Sequence, residues 1–197
     1  MRDIIRMIVV LAVLAACSGG LLAAVKSGTA AKIEVQQLTF VKGPAIQEIL
    51  KGCTNNPIED RFKLKVGDEE KTFFVGKFDN TPPAVVYETF GKGFAGDVGI
   101  MVGVNIETDK LIGIGITTHS ETPGLGARAK TDRGFKESFQ GLSIKDAIKV
   151  NKDGGNVDSI SGATVTSRGV CTGITGSSDM YQELKPKIME NVKAFGS

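Results

Sequence analysis

The chain has 197 residues and a formal net charge of +2, from 24 basic and 22 acidic side chains. This length allows one ordinary domain with an appendage, but not two large domains with separate cores. The charges form no basic stripe, which argues against a nucleic-acid partner, and a hydrophobic content of 41% argues against a disordered chain.

A long apolar run lies near the amino terminus. Met7 to Val25 contains no charged residue, and Ile4 and Ile5 lengthen the run, so it reaches the roughly 20 residues that cross a bilayer as a helix. A buried core helix would alternate with polar residues, which this run does not. The segment LAAC, Leu14 to Cys17, resembles a lipoprotein cleavage box that would lipidate Cys17, but the apolar run continues beyond it. A retained membrane anchor is therefore favoured over a cleaved signal.

Charges beside the run bear on its orientation. The charged residues that flank it are Arg2, Asp3, Arg6, Lys26 and Lys32. The positive-inside rule favours, by a small margin, a cytoplasmic amino terminus. We therefore expect a tail and transmembrane anchor at residues 1–26 and an extracytoplasmic domain at residues 27–197.

The next segments change from helix to strand patterns. Ala31 to Leu50 predicts an irregular helical stretch that Gly43-Pro44 interrupts. The segments RFKLKVG, KTFFVGKF and AVVYETFGKGF are alternating or rich in β-forming residues, so they predict strands. Strands near Val98 to Ile106 and Leu111 to Thr118, with a turn at Thr108-Asp109, predict a β-hairpin.

Glycines and later helices complete the pattern. The hairpin contains Gly99, Gly103, Gly113 and Gly115. These glycines indicate either bulges or a flat surface that another element approaches. Further along, GFKESFQGL and SIKDAIKV predict short helical pieces, and a longer helix is predicted from Ser167 past Met180. Pro186 is expected to kink or restart that helix.

The cysteines show no metal-binding spacing, because the sequence has no CxxC motif and no paired His and Cys motif. Cys17 lies in the apolar run, which leaves Cys53 and Cys171 for the domain. A disulfide between these two is one alternative, and two buried free thiols are the other.

The segment THSETPGLGARA, Thr118 to Ala129, is predicted to leave the last strand as a loop. Pro123-Gly124 favours a tight turn that exposes backbone N–H groups. The polar side chains beside it are His119, Glu121 and Thr122, although an ordinary turn would explain them equally well. His119 has no nucleophile or metal set near it in sequence. The chain also lacks GxSxG and GxxxxGK[ST], so neither a serine hydrolase nor a P-loop is supported.

The segment DSISGATVTS, Asp158 to Ser167, precedes the long predicted helix. Thr164, Thr166 and Ser167 are each suitable N-caps for that helix. The same helix start offers backbone N–H donors, and Gly162 allows close approach, so the segment also suits a phosphate that a hydroxyl could carry as an ester. The residue pattern does not choose between these interpretations.

A resemblance to a known family favours the phosphate. Asp158, Ser161, Gly162, Ala163 and Thr164 match the signature D-x-x-[ST]-G-A-[ST] of domains that carry FMN as a phosphoester on the last hydroxyl residue. With the upstream HSETPGLG and an amino-terminal anchor, essentially the whole chain closely resembles the G subunit of the Rnf electron-transport complex, RnfG. It is also similar to the C subunit of the sodium-pumping NADH:quinone reductase, which is usually longer.

The resemblance implies a fold and a site. The fold would be α+β, an FMN-binding domain with an antiparallel sheet and packed helices after one transmembrane helix. Thr164 would hold the FMN phosphate. The other site residues would be Ser161, Gly162 and Ala163 in the turn that presents it, Thr166 and Ser167 near the phosphate or ribityl chain, and Glu121, Thr122, Gly124 and Leu125 facing the flavin. Asp158 would serve recognition by the flavin transferase, or is simply a turn residue.

The resemblance also implies a function. The chain would carry electrons in a complex of the cell membrane that links ferredoxin and NAD to the translocation of Na⁺ or H⁺. Its partners would be other membrane subunits, one with a second covalent FMN, and a flavin transferase that uses FAD and magnesium. NAD itself is not expected to bind, because no GxGxxG follows a strand. Two alternatives stay open, a free-standing membrane-anchored or lipidated FMN reductase that serves a soluble acceptor, and an anchored anion-binding module without a redox role.

Overall fold

The chain forms two compact units that divide between Phe40 and Val41. The structure is a computed structural model that describes residues 2–67, 69–79 and 83–195. The first unit contains helix α1, Arg2–Gln36, and the start of a π-helical segment, Gln37–Lys42. The large apolar side chains along α1 are exposed. Arg2–Ala30 is long and apolar enough to cross a membrane, a test that a signal sequence also passes.

The second unit is an α+β domain, as expected. Its strands are β1 (Arg61–Val66), β2 (Glu69–Gly76), β3 (Ala84–Lys92), β4 (Asp97–Asn105) and β5 (Leu111–Ile116). Its α-helices are α2 (Gly43–Ile49), α3 (Arg133–Glu137), α4 (Thr164–Gly176) and α5 (Ser178–Ala194), and 3-10 turns span Gly126–Lys130 and Asn151–Asp153. The strands form one antiparallel sheet in chain order. The predicted strands and the hairpin are thus confirmed.

Helix α4 packs on β3 with its backbone nearly touching the strand. A Cβ atom built on Gly173 would lie 2.8 Å from the Gly91 Cα atom, and one built on Gly169 would strike the backbone of Lys92. The Thr89 hydroxyl donates to the Gly173 carbonyl oxygen over 3.3 Å across the same contact. Glycine is needed here because no side chain fits between the two backbones.

The opposite face of the sheet receives α2. A Cβ atom on Gly115 would lie 2.7 Å from the Ala45 Cβ atom, and one on Gly103 would meet the Ile49 side chain. Gly103, Gly113 and Gly115 therefore form the flat surface that the sequence indicated, whereas a Cβ atom on Gly99 would meet the Thr117 and Thr118 hydroxyl oxygens. A register shift between Gly103 and Val104 provides the bulge as well. Before α2, the Lys42 Nζ atom contacts a Glu88 carboxylate oxygen at 2.7 Å.

A buried carboxylate at the β4–β5 turn joins the hairpin to α5. Asp109 adopts a left-handed backbone with φ of 56°, and its side chain is 7% exposed. The Nζ atoms of Lys185 and Lys145 lie 2.5 and 2.6 Å from its oxygens, and the Tyr181 hydroxyl donates to it over 3.2 Å. Burial alone would raise the pKa of Asp109, but the hydrogen bonds and charges of the two lysines together hold that pKa below its ordinary value.

One predicted helix is wrong. SIKDAIKV, residues 143–150, contains turns and isolated bridges instead. The spacing of Ile144 and Ile148 imitates a helix, but both side chains are buried in the core from an irregular backbone. The Ile148 N–H donates to the Thr175 hydroxyl over 3.0 Å, and Ser143 pairs with Lys110 beside the sheet. Tertiary partners thus replace the helical hydrogen bonds.

The long predicted helix is two helices that meet at Ser177. The Ser177 N–H bonds to the Ile174 carbonyl oxygen at 3.0 Å, and the Ser177 hydroxyl donates to the same oxygen at 2.7 Å. The hydroxyl also lies 3.0 Å from the hydroxyl of buried Tyr87. Pro186, by contrast, lies inside α5 without ending it. The break is therefore set by a contact with the sheet and not by proline.

Cys53 and Cys171 are both free thiols. Cys171 is buried in α4, and burial raises its pKa to about 12, which leaves the thiol unreactive at neutral pH. Cys53 is half-buried, and its thiol donates to the Asn55 carbonyl oxygen over 3.3 Å. The disulfide alternative is wrong for this structure, and the free-thiol alternative holds with only Cys171 fully buried.

We expect Gly173→Ala to lower the free energy of unfolding by about 1–3 kcal/mol, because the added methyl group has to push α4 off β3. Gly176→Ala is the matched control in the same helix, since a Cβ atom there meets nothing within 4 Å. Alanine favours helix over glycine by up to about 1 kcal/mol, so the control is expected to gain stability. Urea unfolding of both variants measures the difference, and equal effects of the two changes would contradict the tight contact.

We expect Asp109→Asn to cost about 2 kcal/mol of stability at pH 7, because Asn tolerates the left-handed backbone but leaves two lysines without their carboxylate. The folded pKa of Asp109 lies below the unfolded value of about 3.9. The ion pairs of Asp109 with the two lysines therefore stabilise the fold fully at pH values above the unfolded pKa. Their contribution is lost as the pH falls through the folded pKa. Unfolding curves between pH 7 and pH 2 should show the wild-type advantage shrinking only below about pH 4; a constant advantage throughout argues against this ion pair.

Candidate functional site

Helix α4 begins at Thr164 with an uncapped amino terminus. Its N-cap residue is Ala163, with φ of −132°, and no side chain among the described residues caps the first turn. The capping interpretation of Thr164, Thr166 and Ser167 is therefore wrong. The free N–H groups and the helix dipole at this end favour an anion.

The turn before α4 is held by Ser167 from beneath. The buried Ser167 hydroxyl accepts from the Ile160 N–H and donates to the Ala163 carbonyl oxygen, each over 3.0 Å. Gly162 has φ of +80°, and a Cβ atom there would lie 3.1 Å from the Leu125 Cδ2 atom. Glycine at 162 thus serves both the left-handed turn and the close approach to the neighbouring loop.

The three hydroxyl residues of this segment have different surroundings. Thr164 is half-buried, and the Lys152 Nζ atom lies 3.4 Å from its hydroxyl oxygen. Thr166 is 1% exposed, and its hydroxyl donates to the Glu121 carboxylate. Ser167 is fully buried in the turn. Of these three, Thr164 alone presents its hydroxyl toward open space beside a cation.

Glu121 connects the segments that form the site. It is 6% exposed and lies in the loop after β5. One carboxylate oxygen accepts from the Ala95 N–H in the β3–β4 turn over 2.8 Å, and the other accepts from Thr166 in α4. Gly93 and Gly126 leave room for it, because a Cβ atom on either would strike the carboxylate. One buried side chain therefore fixes the loop, the turn and the helix to one another.

These segments enclose a cleft of about 530 Å³. Its lining residues are Phe94, Glu121, Thr122, Leu125, Gly126, Lys152, Gly162, Ala163, Thr164, Val165 and Thr166. Three apolar members are exposed to solvent, Phe94 by 75%, Leu125 by 48% and Val165 by 47%. Exposed apolar groups beside a free helix amino terminus suit a ligand with a flat apolar ring and an anionic end.

The structure separates the predicted site residues into two groups. Those that line the cleft are Glu121, Thr122, Leu125, Gly162, Ala163, Thr164 and Thr166. Outside the lining lie Ser161, exposed on the turn; Gly124, which has φ of +76°; and buried Ser167. Phe94, Gly126, Lys152 and Val165 also line it, and sequence reasoning missed them. An aromatic residue inside the glycine-rich turn GKGFAGD was a signal for Phe94, whereas nothing in the sequence marked Lys152.

Two polar contacts order the turn that carries Lys152. The Arg168 guanidinium makes two hydrogen bonds of 2.7 Å to Asp153, which lower the pKa of that carboxyl. The Asn151 side chain donates to Asp158 over 2.9 Å, so Asp158 has a turn-stabilising role.

His119 lies outside the cleft lining, and its Nδ1 atom is buried without a hydrogen-bond partner among the described residues.

Comparisons with known proteins agree with this architecture. Residues 93–177, which include every lining residue named above, match the family described as the FMN-binding domain. The chain is 32% identical over 190 residues to the G subunit of the ion-translocating oxidoreductase complex of Cronobacter sakazakii, covering 91% of both chains. The chain belongs to this family of G subunits. It is also 30% identical to the G subunit of the Na⁺-translocating ferredoxin:NAD⁺ oxidoreductase complex of Acetobacterium woodii, covering 89% of this chain and 88% of that one.

A solved structure supports the fold of the domain. The C subunit of Na⁺-translocating NADH-quinone reductase from Parabacteroides distasonis superposes with a TM-score of 0.55 at 23% identity, covering 71% of this chain and 89% of that chain. The family resemblance and the α+β fold expected from the sequence are thereby confirmed.

We expect Ser167→Ala to lower the free energy of unfolding by about 1–3 kcal/mol, because it leaves the Ile160 N–H without its partner in a buried turn. Ser161→Ala in the same turn is the control, since Ser161 is exposed and its replacement should change stability by less than about 0.5 kcal/mol. Thermal and urea unfolding compare the two. Similar small effects of the two changes would show that the hydrogen bonds of the Ser167 hydroxyl contribute nothing to stability.

Proposed function

We propose that the chain holds FMN in this cleft as a phosphoester on Thr164. We further propose that it carries electrons as the G subunit of a membrane ferredoxin:NAD oxidoreductase complex that translocates Na⁺ or H⁺. The observation that carries the proposal is the half-buried Thr164 hydroxyl at the uncapped start of α4, inside a cleft with apolar walls. The names of the relatives support the role in the complex.

The residues of the cleft fit both ends of FMN. The first N–H groups of α4 and the Lys152 ammonium group are suited to the phosphate, because both offer positive charge beside Thr164. Phe94, Leu125 and Val165 offer apolar surface to the ring system. The cleft volume also lies in the usual range of about 300–1,000 Å³ for small-molecule sites.

The surroundings of the hydroxyl groups favour Thr164 as the attachment residue. Thr166 uses its hydroxyl hydrogen to bind a buried carboxylate, and a negative phosphate there would meet the charge of Glu121. Ser167 is buried under the turn with its hydroxyl engaged twice. Attachment at either would break contacts that hold the site together, whereas attachment at Thr164 breaks only its long contact with Lys152.

Attachment is the task of a separate flavin transferase that uses FAD and magnesium. The Thr164 oxygen forms a bond to the phosphorus of the FMN half of FAD, the phosphoanhydride bond breaks, AMP leaves and the hydroxyl proton passes to solvent. Thr164 is therefore a modified residue and takes no part in turnover. Asp158, exposed at the start of the motif, is available for recognition by the transferase as well as for its bond to Asn151.

When bound, FMN accepts electrons in pairs and releases them singly, which suits a carrier between two-electron and one-electron partners. The chain's own residues hold the phosphate, cover part of the ring and fix the surrounding charges. We propose that residues 1–26 form the anchor and that residues 27–197, which include the rest of α1 and the FMN-binding domain, lie on the extracytoplasmic side. The apolar helix and the flanking charges support this assignment. The other membrane subunits, including one with a second covalent FMN, are the electron-transfer partners.

We expect Thr164→Val to abolish the covalent FMN adduct while leaving the fold intact, because the change removes the hydroxyl and conserves the volume. Intact-mass and peptide analysis of denatured full-length protein from transferase-containing cells measures the adduct as FMN less water. Thr172→Val, which changes an exposed threonine of the same helix outside the cleft lining, is the matched control and should retain the adduct. An adduct on Thr164→Val, or none on the wild type, refutes attachment at Thr164.

A further inference from the structure

Glu121 is a buried charge in the wall of the cleft, and its structural role does not require that charge. It lines the cleft with 6% of its surface exposed. Its two oxygens receive hydrogen bonds from the Ala95 N–H and the Thr166 hydroxyl. A neutral amide could bridge the same segments, because its oxygen accepts from the Ala95 N–H and its NH₂ group donates to the Thr166 oxygen.

Both oxygens of Glu121 have a hydrogen-bond partner. The Ala95 N–H, which can only donate, bonds to one oxygen, and the Thr166 hydroxyl bonds to the other.

No ion pair among the described residues neutralises this charge. The ion pairs formed within residues 2–67, 69–79 and 83–195 do not include Glu121. Lys152 is the cation among the described residues of the lining, and it lies beside the Thr164 hydroxyl, where a phosphate on Thr164 would use its charge. The negative charge at Glu121 therefore acts on whatever occupies the cleft.

The charge is also fixed in position. Gly93 and Gly126 close on the carboxylate from two sides, since a Cβ atom on either would strike it. Two hydrogen bonds from different segments hold its oxygens. A charge that cannot turn away, in a site partly closed to water, acts more strongly than a surface charge, because solvent neither screens it nor replaces it.

We propose that the Glu121 carboxylate lowers the reduction potential of the flavin in this cleft. This proposal rests on the proposed function, because it needs FMN in the site. Reduction with two electrons and one proton adds one negative charge to the ring, and a fixed carboxylate nearby opposes that addition. Reduction with two electrons and two protons adds no net charge. In that case Glu121 affects the proton uptake of the flavin more than its reduction potential.

The test compares flavin potentials in full-length holo-protein purified in detergent. Glu121→Gln removes the charge and keeps the bridge between Ala95 and Thr166. Thr166→Val keeps the charge and breaks one half of the bridge. Glu88→Gln is the charge control, because it removes a half-buried carboxylate of β3 that does not line the cleft. Spectroelectrochemical titration between pH 6 and pH 9 gives each two-electron midpoint potential, and intact mass confirms the flavin in each sample.

We expect Glu121→Gln to shift the ratio of reduced to oxidised flavin about ten-fold toward the reduced form at a fixed potential. This corresponds to a rise of about 30 mV for a two-electron couple. The rise should be largest where the pH slope shows uptake of one proton. Thr166→Val should show no rise, because it leaves the Glu121 carboxylate in place, and Glu88→Gln should match the wild type.

Three outcomes overturn the proposal. The first is an unchanged potential in Glu121→Gln, and the second is an equal rise in Thr166→Val, which would assign the effect to the broken bridge. If Glu121→Gln does not accumulate with flavin, the pH slope of the wild-type potential decides. Uptake of two protons per two electrons throughout pH 6–9 is then the third outcome, because reduction would add no charge for Glu121 to oppose. Failure of the proposed function looks different, because the wild-type protein would then carry no flavin mass at all.

Discussion

The close backbone contact between α4 and β3 is the constraint on which the rest of the site depends. Gly91 on the strand and Gly169 and Gly173 on the helix have no side chains, so the two elements approach until main-chain atoms meet. That approach fixes the axis of α4, and with it the point at which Thr164 begins the helix beside the β3–β4 turn. Hydrogen bonds from Thr89 to Gly173 and from the sheet side chain Tyr87 to Ser177 then fix the far end of the helix.

Within this frame, the hydroxyls of Thr164, Thr166 and Ser167 have different tasks. Ser167 holds the preceding turn from below, and Thr166 binds Glu121 in the next loop. The two contacts immobilise both sides of Thr164, which keeps its own hydroxyl free of any buried partner. Glu121 extends the same arrangement to the β3–β4 turn through Ala95. Segments near residues 95, 121 and 166 are thus held together by one carboxylate.

The site departs from local rules where a ligand would compensate. The start of α4 lacks a side-chain cap, and Phe94, Leu125 and Val165 leave apolar surface in water. Each feature is unfavourable when the cleft is empty. The first N–H groups of a helix need hydrogen-bond acceptors, and apolar side chains are more stable when they are buried away from water. Both are satisfied by a molecule with a phosphate and a flat ring. Such departures mark functional sites in proteins whose sequences are otherwise locally consistent.

The sequence by itself determined the strands, the hairpin, the apolar amino-terminal helix and the short motif at residues 158–164, because strand alternation, turn residues and apolar length are local properties. Prediction from the sequence failed where the hydrogen-bond partners lie far apart in the chain. Residues 143–150 have helical spacing but bond to Thr175 and Lys110, and the long helix ends at Ser177 because Tyr87 lies there. Phe94 and Lys152 joined the cleft only through folding. Tertiary structure also decided which hydroxyl stays free, since burial and the position of Glu121 depend on packing between segments far apart in the chain.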